Sequence, residues 1–122
     1  MTTQEIANKL YEFCKIGQFE QAQNELYDGN ATSTESNMKW ERETLNWIDA
    51  IKAKGAWFQS MVEEMHSSYT NESKVFGPYI FMEMGMDVTM KWMWRNKMDE
   101  MCKYEVKDGK IISEEFFYWP NC

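Results

Sequence analysis

The chain has one histidine, and its three cysteines, Cys14, Cys102 and Cys122, are scattered. It has no CxxC, HExxH or GxSxG motif and no phosphate-cradling glycine loop. Without them, neither a zinc enzyme nor a serine hydrolase has support. No apolar run approaches the roughly 18 to 20 residues that cross a bilayer. Basic residues are also short: 13 Lys and Arg face 20 Asp and Glu, a net charge of −7. An acidic chain without a basic stripe repels phosphate backbones and anionic membrane surfaces, so neither nucleic acid nor membrane is an expected partner. The start "MTTQEIANKLYEFCK" lacks the basic, apolar and cleavage regions of a secretory signal. An odd number of scattered thiols fits a reducing cytosol better than a disulfide framework. The expected location is cytoplasmic. On that reading the sequon Asn30-Ala31-Thr32 is a chance match.

What remains is a chain of 122 residues, enough for one domain with one core. Aromatic residues make up 16% of it. Aromatic area on that scale fills a core, lines a pocket or covers a subunit interface.

Thr2 and Glu5 have capping-box spacing, and Ile6, Leu10, Phe13 and Cys14 follow on one helical face. Gly17 supplies a stop. A second helix is predicted over Phe19–Leu26, closed by Asp28-Gly29, so the two form a helical hairpin. The polar stretch "NATSTESN" at 30–37 reads as a loop or a short edge strand. The longest helix follows, capped by Asn46 with Asp49. Its buried face is marked by Ile48, Ile51, Phe58, Met61, Val62 and Met65. Gly55 interrupts that helix, and close backbone packing is the expected reason.

From His66 the period changes to two. His66–Phe76 is a weak strand and Gly77-Pro78 a turn. In Tyr79–Trp92 the even positions are all apolar and the odd ones mostly polar, the pattern of a half-buried antiparallel strand. Straight, it would run roughly 45 Å, too long for a small domain, so it must curve. Gly85 is the natural bend or bulge. Met98–Val106 and Ile111–Trp119 are joined through the turn Lys107-Asp108-Gly109-Lys110. Helices first and antiparallel sheet last make an α+β domain spanning 1–122, with a cone-shaped hollow where the sheet wraps a helix.

The closing run "MDEMCKYEVKDGKIISEEFFY", from Met98 to Tyr118, resembles the last hairpin of SnoaL-like proteins of the nuclear transport factor 2-like superfamily. "DAIKAKGAWF" at 49–58 and "EMHSSY" at 64–69 are similar to the same group. The resemblance implies a cone-like, cystatin-like α+β barrel, usually homodimeric through its sheet. Polyketide cyclases, ketosteroid isomerases, dehydratases and epoxide hydrolases share this superfamily with many binding domains. The fold alone therefore does not set a function. The chain departs from its relatives at "MKWMWRNKMDEM", where their pattern holds less Met and Trp.

Met82, Met84 and Met86 alternate, so their thioethers point one way. Such spacing suits Cu(I), but every residue on that face is apolar and copper sites usually add His or Cys. An inner wall is the better reading, with no metal and no cofactor. His66 resembles a histidine that the group carries at this point, and an imidazole moves protons near neutral pH. Met98, Glu100, Cys102, Tyr104 and Val106 share one face, which puts the Glu100 carboxyl on an apolar wall. There it must be paired, hydrogen-bonded or protonated. His66 and Glu100 are the candidate catalytic groups. Trp57, Phe58, Met61, Met82, Met84, Met90, Met98 and Tyr118 are the expected lining of a site for a small, mainly apolar molecule. The last strand carries aromatics on both parities, one for the cone and the other for a subunit interface. Two functions follow. One is a ligand-binding cone with cofactor-free proton transfer of the isomerase, cyclase or dehydratase kind. The other is a non-catalytic dimerisation or interaction domain whose cone its own side chains fill.

Overall fold

The computed structural model describes residues 1–36 and 41–120. Three helices and a seven-stranded sheet follow in the order α1 (Thr3–Lys15), α2 (Phe19–Leu26), β1 (Tyr27–Ser36), β2 (Arg42–Asn46), α3 (Ile48–Met61), β3 (Val62–Thr70), β4 (Lys74–Phe76), β5 (Tyr79–Met90), β6 (Arg95–Lys107) and β7 (Lys110–Pro120). The strand order is β2-β1-β7-β6-β5-β3, with β4 on β5. All pairings are antiparallel except that of β1 with β7. This is the expected α+β fold, a curved sheet packed against helices.

The helical hairpin forms where the sequence places it. The Thr2 hydroxyl accepts from the Glu5 amide, and the Glu5 carboxylate accepts from the Thr2 amide. Ile6, Ala7, Leu10 and Cys14 are buried, and Gly17 turns the chain at φ 76°. At the other end, Asp108 and Gly109 both take left-handed backbone conformations (φ 52° and 75°), as a tight hairpin turn requires.

Several expectations need correction. The stretch at 30–37 is neither a loop nor an edge strand. Its described part lies in β1, which pairs with β2 on one side and β7 on the other. Its residues are small and polar, so no hydrophobic alternation marks it, yet Ala31 and Ser33 are buried. Asn37 and Cys122 lie outside the described residues. Nor does Asp28-Gly29 close α2, which runs directly into β1. Instead, Asp28 accepts a bond from the Asn30 amide. The cap of α3 is Trp47, at φ 71° and without a side-chain bond, rather than Asn46 with Asp49. Of the predicted α3 face only Ile51 is fully buried, and Met65, already in β3, is 45% exposed.

The glycines need correction too. A β-carbon on Gly55 would meet nothing within 4 Å, so no close packing requires it. Gly55→Ala should therefore stabilise the domain by about 1 kcal/mol, as the shift of a urea midpoint. Gly85 forms no bulge, for its ladders to β6 and β3 run through it without a shift. The bulges lie in β3, between Val62 and Glu64 and between Met65 and Ser67. Gly85 instead leaves room for the Tyr69 ring, whose Cε1 atom would lie 2.1 Å from an added β-carbon. That ring is held by the bond from Tyr69 OH to Asp99 Oδ1 at 2.6 Å. Gly85→Ala should expel it and cost about 1–3 kcal/mol in thermal or urea unfolding.

Last, β5 ends at Met90. Trp92 sits in the following turn at φ 66° and is 95% exposed, so it is not part of the wall. The predicted strand His66–Phe76 is two strands, β3 and β4, and β3 begins earlier, at Val62.

Candidate functional site

Direct pairing across β5, β6 and β7 fixes which residues share a face. Met82 stands opposite Cys102 and Cys102 opposite Phe116. Met84 stands opposite Glu100 and Glu100 opposite Tyr118. Ile80, Met82, Cys102 and Tyr104 are buried, so this is the concave face. Glu100 therefore lies on the inner wall, as the alternation of β6 requires. Phe116 and Tyr118 are the inner residues of β7, while Phe117 belongs to the convex face and is 46% exposed. A register shift between Glu105 and Val106 decides this parity. Ile111 and Glu114 both face inward although their numbers differ in parity.

The concave face holds more charge than its sequence neighbours announce. Glu114 is buried and accepts a hydrogen bond from Tyr27 OH, with Ser33 beside it across β1 and β7. Glu35, on β1, accepts from Lys54 Nζ through Oε1 and from Tyr118 OH through Oε2. Lys54 reaches down from α3, also lies 3.5 Å from Ser33 Oγ, and stands 5.5 Å from the centre of the Phe116 ring. Among the described residues Glu100 receives one weak donor, the Cys102 thiol at 3.7 Å. Its residue keeps some exposed surface, but its carboxyl is enclosed. Burial, reinforced by the Glu35 carboxylate, pushes that carboxyl from 4.5 up to about 7. Burial likewise raises the Glu114 carboxyl, against its bonds from Tyr27 and Ser33, and pushes the Cys14 thiol to about 12. Three carboxyls and one ammonium thus share a single wall.

The chain-wide match agrees with this architecture. The SnoaL-like domain family matches residues 1–118. This chain belongs to that family. A Mesorhizobium loti protein described as a SnoaL-like polyketide cyclase is 31% identical, with a TM-score of 0.88 over 97% of this chain and 100% of its own. An isomerase-type protein from Bacillus subtilis has the same fold at 13% identity and a TM-score of 0.74, covering 98% and 90% of the two chains. A Catenulispora acidiphila protein with a ketosteroid isomerase-like fold, solved with trimethylamine, gives 15% identity and a TM-score of 0.71 over 96% and 87%. No curated protein matches.

Within this SnoaL-like domain the predicted site residues separate into groups. Met82 and Met84 are buried in the wall. Phe58, Met61, Met90, Met98 and Tyr118 are half-buried. Trp57 is 59% exposed on α3. His66 is not brought to Glu100. Its Nε2 lies 2.8 Å from Thr89 Oγ1, and its Nδ1 3.4 Å from Glu64. Thr89 stands opposite Arg95 on the convex face. There Asp87 accepts two bonds from Arg95, at 3.0 and 2.8 Å, which hold its carboxyl below the usual range. Among the described residues no three His, Cys, Asp or Glu side chains are placed to hold a metal, and no helix is long and apolar enough to cross a membrane.

Sequence reasoning did not single out Glu114, Glu35, Lys54, Ser33 and Tyr27. Only Glu114 carried a usable signal, the parity it shares with Phe116 and Tyr118. Two open surface depressions lie elsewhere than the methionine wall. One, of about 230 Å³, runs between α1 and α2 and is lined by Asn8, Lys9, Glu12, Phe13 and Glu25. The other, of about 240 Å³, crosses β6 and β7 and is lined by Glu83, Asp99, Met101 and Phe117 with Glu100 and Tyr118.

Proposed function

We propose that this SnoaL-like domain binds a small, mainly apolar molecule in the outer half of its cone, and that Glu100 moves a proton on it without a cofactor. The observation that carries this reading is the place of the Glu100 carboxyl, on the inner wall between Met84 and Tyr118 with the Cys102 thiol as its donor, where burial raises it to about 7. A carboxyl poised near the working pH holds and releases a proton with little driving force either way. Met84, the direct partner of Glu100 on β5, and Met98, two residues along β6, supply flexible apolar surface beside it. The chemistry that fits is proton abstraction or return beside a carbonyl, an isomerase-, cyclase- or dehydratase-like step. His66, bonded to Thr89, takes no part in it. The small amine held by the Catenulispora relative supports a ligand site in this fold. Native mass spectrometry of freshly purified protein should reveal a co-purified small molecule that Glu100→Gln or Met84→Trp reduces.

A second reading has one observation in its favour. Met82 and Met84 are 1% and 8% exposed and line neither depression, so the deep half of the cone is filled by its own side chains. An interaction domain would need the outer half filled as well. In that case no small molecule co-purifies and none from a fragment screen shifts the Glu100 resonance. We also propose a homodimer through the convex sheet face. Tyr69, Met101 and Phe117 there are 40%, 44% and 46% exposed, too much apolar surface to leave in water without a partner. Light scattering should give twice the chain mass, falling to one chain mass in Phe117→Glu.

A further inference from the structure

Glu100 is surrounded by groups that could hold it more firmly than they do. Cys14 of α1 and Cys102 of β6 offer thiols, which are poor donors. Glu114 of β7 and Glu35 of β1 bring negative charge. Among the described residues two strong donors belong to this neighbourhood. Tyr118 is the direct cross-strand partner of Glu100 on β7. Lys54 of α3 lies over Phe116, which is opposite Cys102, the residue whose thiol touches Glu100. Both donors are turned away, because Glu35 takes the Lys54 ammonium on one carboxylate oxygen and the Tyr118 hydroxyl on the other.

We propose that Glu35 is a positioning residue: it captures the two strong donors nearest Glu100 and so leaves the Glu100 carboxyl free to exchange a proton with a ligand. The inference rests on the reading of Glu100 as the proton-transfer group. It adds a division of labour among the carboxyls. Glu114 is tied to Tyr27 and Ser33, and Glu35 is tied to Lys54 and Tyr118. Among the described residues, Glu100 is left with a thiol. Charge-assisted bonds to an ionised carboxylate are the strong ones, and each would favour the ionised form of Glu100 if it were made there instead.

The test is the titration of the Glu100 side chain, followed by ¹³C NMR in glutamate-labelled protein, with Glu100→Gln assigning the resonance. In Glu35→Gln the midpoint falls by about one unit or more, a tenfold loss of proton affinity, with the lost Glu35 charge supplying part of the fall and the released ammonium and hydroxyl, turning to Glu100, the rest. Adding Lys54→Met to Glu35→Gln restores part of that loss. Tyr118→Phe alone leaves the midpoint within about 0.3 units, because its hydroxyl is already held by Glu35. An unmoved midpoint in folded Glu35→Gln overturns the proposal. So does a clear rise in Tyr118→Phe, which would mean that Tyr118 serves Glu100 directly, and this arm stands even if Glu35→Gln does not fold. A wild-type midpoint at the ordinary carboxylate value removes the proton-transfer reading and the role of Glu35 together. A wild-type midpoint near 7 that Glu35→Gln leaves in place removes only the latter.

Discussion

Glu100→Gln is expected to lower turnover of a carbonyl substrate by about 10²–10⁴-fold, the usual contribution of a positioned acid or base. The carboxamide keeps the size of the side chain and cannot carry the proton. With the ligand held by apolar side chains, as proposed, KM should change little while kcat falls. His66→Ala should leave the rate within about threefold, because its ring bonds Thr89 on the other face of the sheet. The assay is a screen of small ketones and enolisable esters by solvent hydrogen exchange, which reads proton transfer without requiring the full reaction. A Glu100→Gln variant that exchanges as fast as the wild type takes Glu100 out of the mechanism.

The same substitution should make the protein more stable above neutral pH, by about 3 kcal/mol. Glu100 starts from an ordinary value of 4.5 and is raised in the fold to about 7. Between those values the folded protein keeps a proton that the unfolded chain has released. Its contribution is fully present below 4.5 and is lost as pH rises through 7. The shift of roughly two and a half units corresponds to about 3 kcal/mol. Glu114 is raised by burial too and acts in the same sense. Glu5 and Asp87 are lowered, by the Thr2 cap and by Arg95, and act in the opposite sense. The difference between wild type and Glu100→Gln cancels those other groups. Urea unfolding should find the two similar near pH 4.5 and the variant ahead at pH 8. A carboxyl kept for chemistry at the expense of stability is the pattern that active sites commonly show.

Much of this arrangement is legible in the residues, because strong local signals set it. The Thr2–Glu5 box, the Asp108-Gly109 turn and the alternation from Ile80 to Val88 each name an element and its face. The inward placement of Glu100 follows from its parity with Cys102 and Tyr104. The failures have physical causes. β1 is built from small polar residues, and its inner positions, Ala31, Ser33 and Glu35, show no apolar period. Glu114 is reached only through the register shift beside Val106, which reverses parity within β7. Lys54 lies off the apolar face read for its helix, and its long stem carries the ammonium to Glu35 on another element. Gly85 looked like a bend because a glycine in a strand often is one. Its actual reason, the ring of Tyr69, comes from a residue 16 positions away on β3. Long-range partners of this kind leave no trace in local spacing.

The central claim is that an enclosed carboxyl on the cone wall holds its proton near neutral pH. The most direct measurement is the ¹³C titration of Glu100 in the wild-type protein. A midpoint near 7 is the predicted result, with the resonance moving when a ligand enters the cone. A midpoint near the ordinary 4.5, unmoved by any ligand, would contradict it.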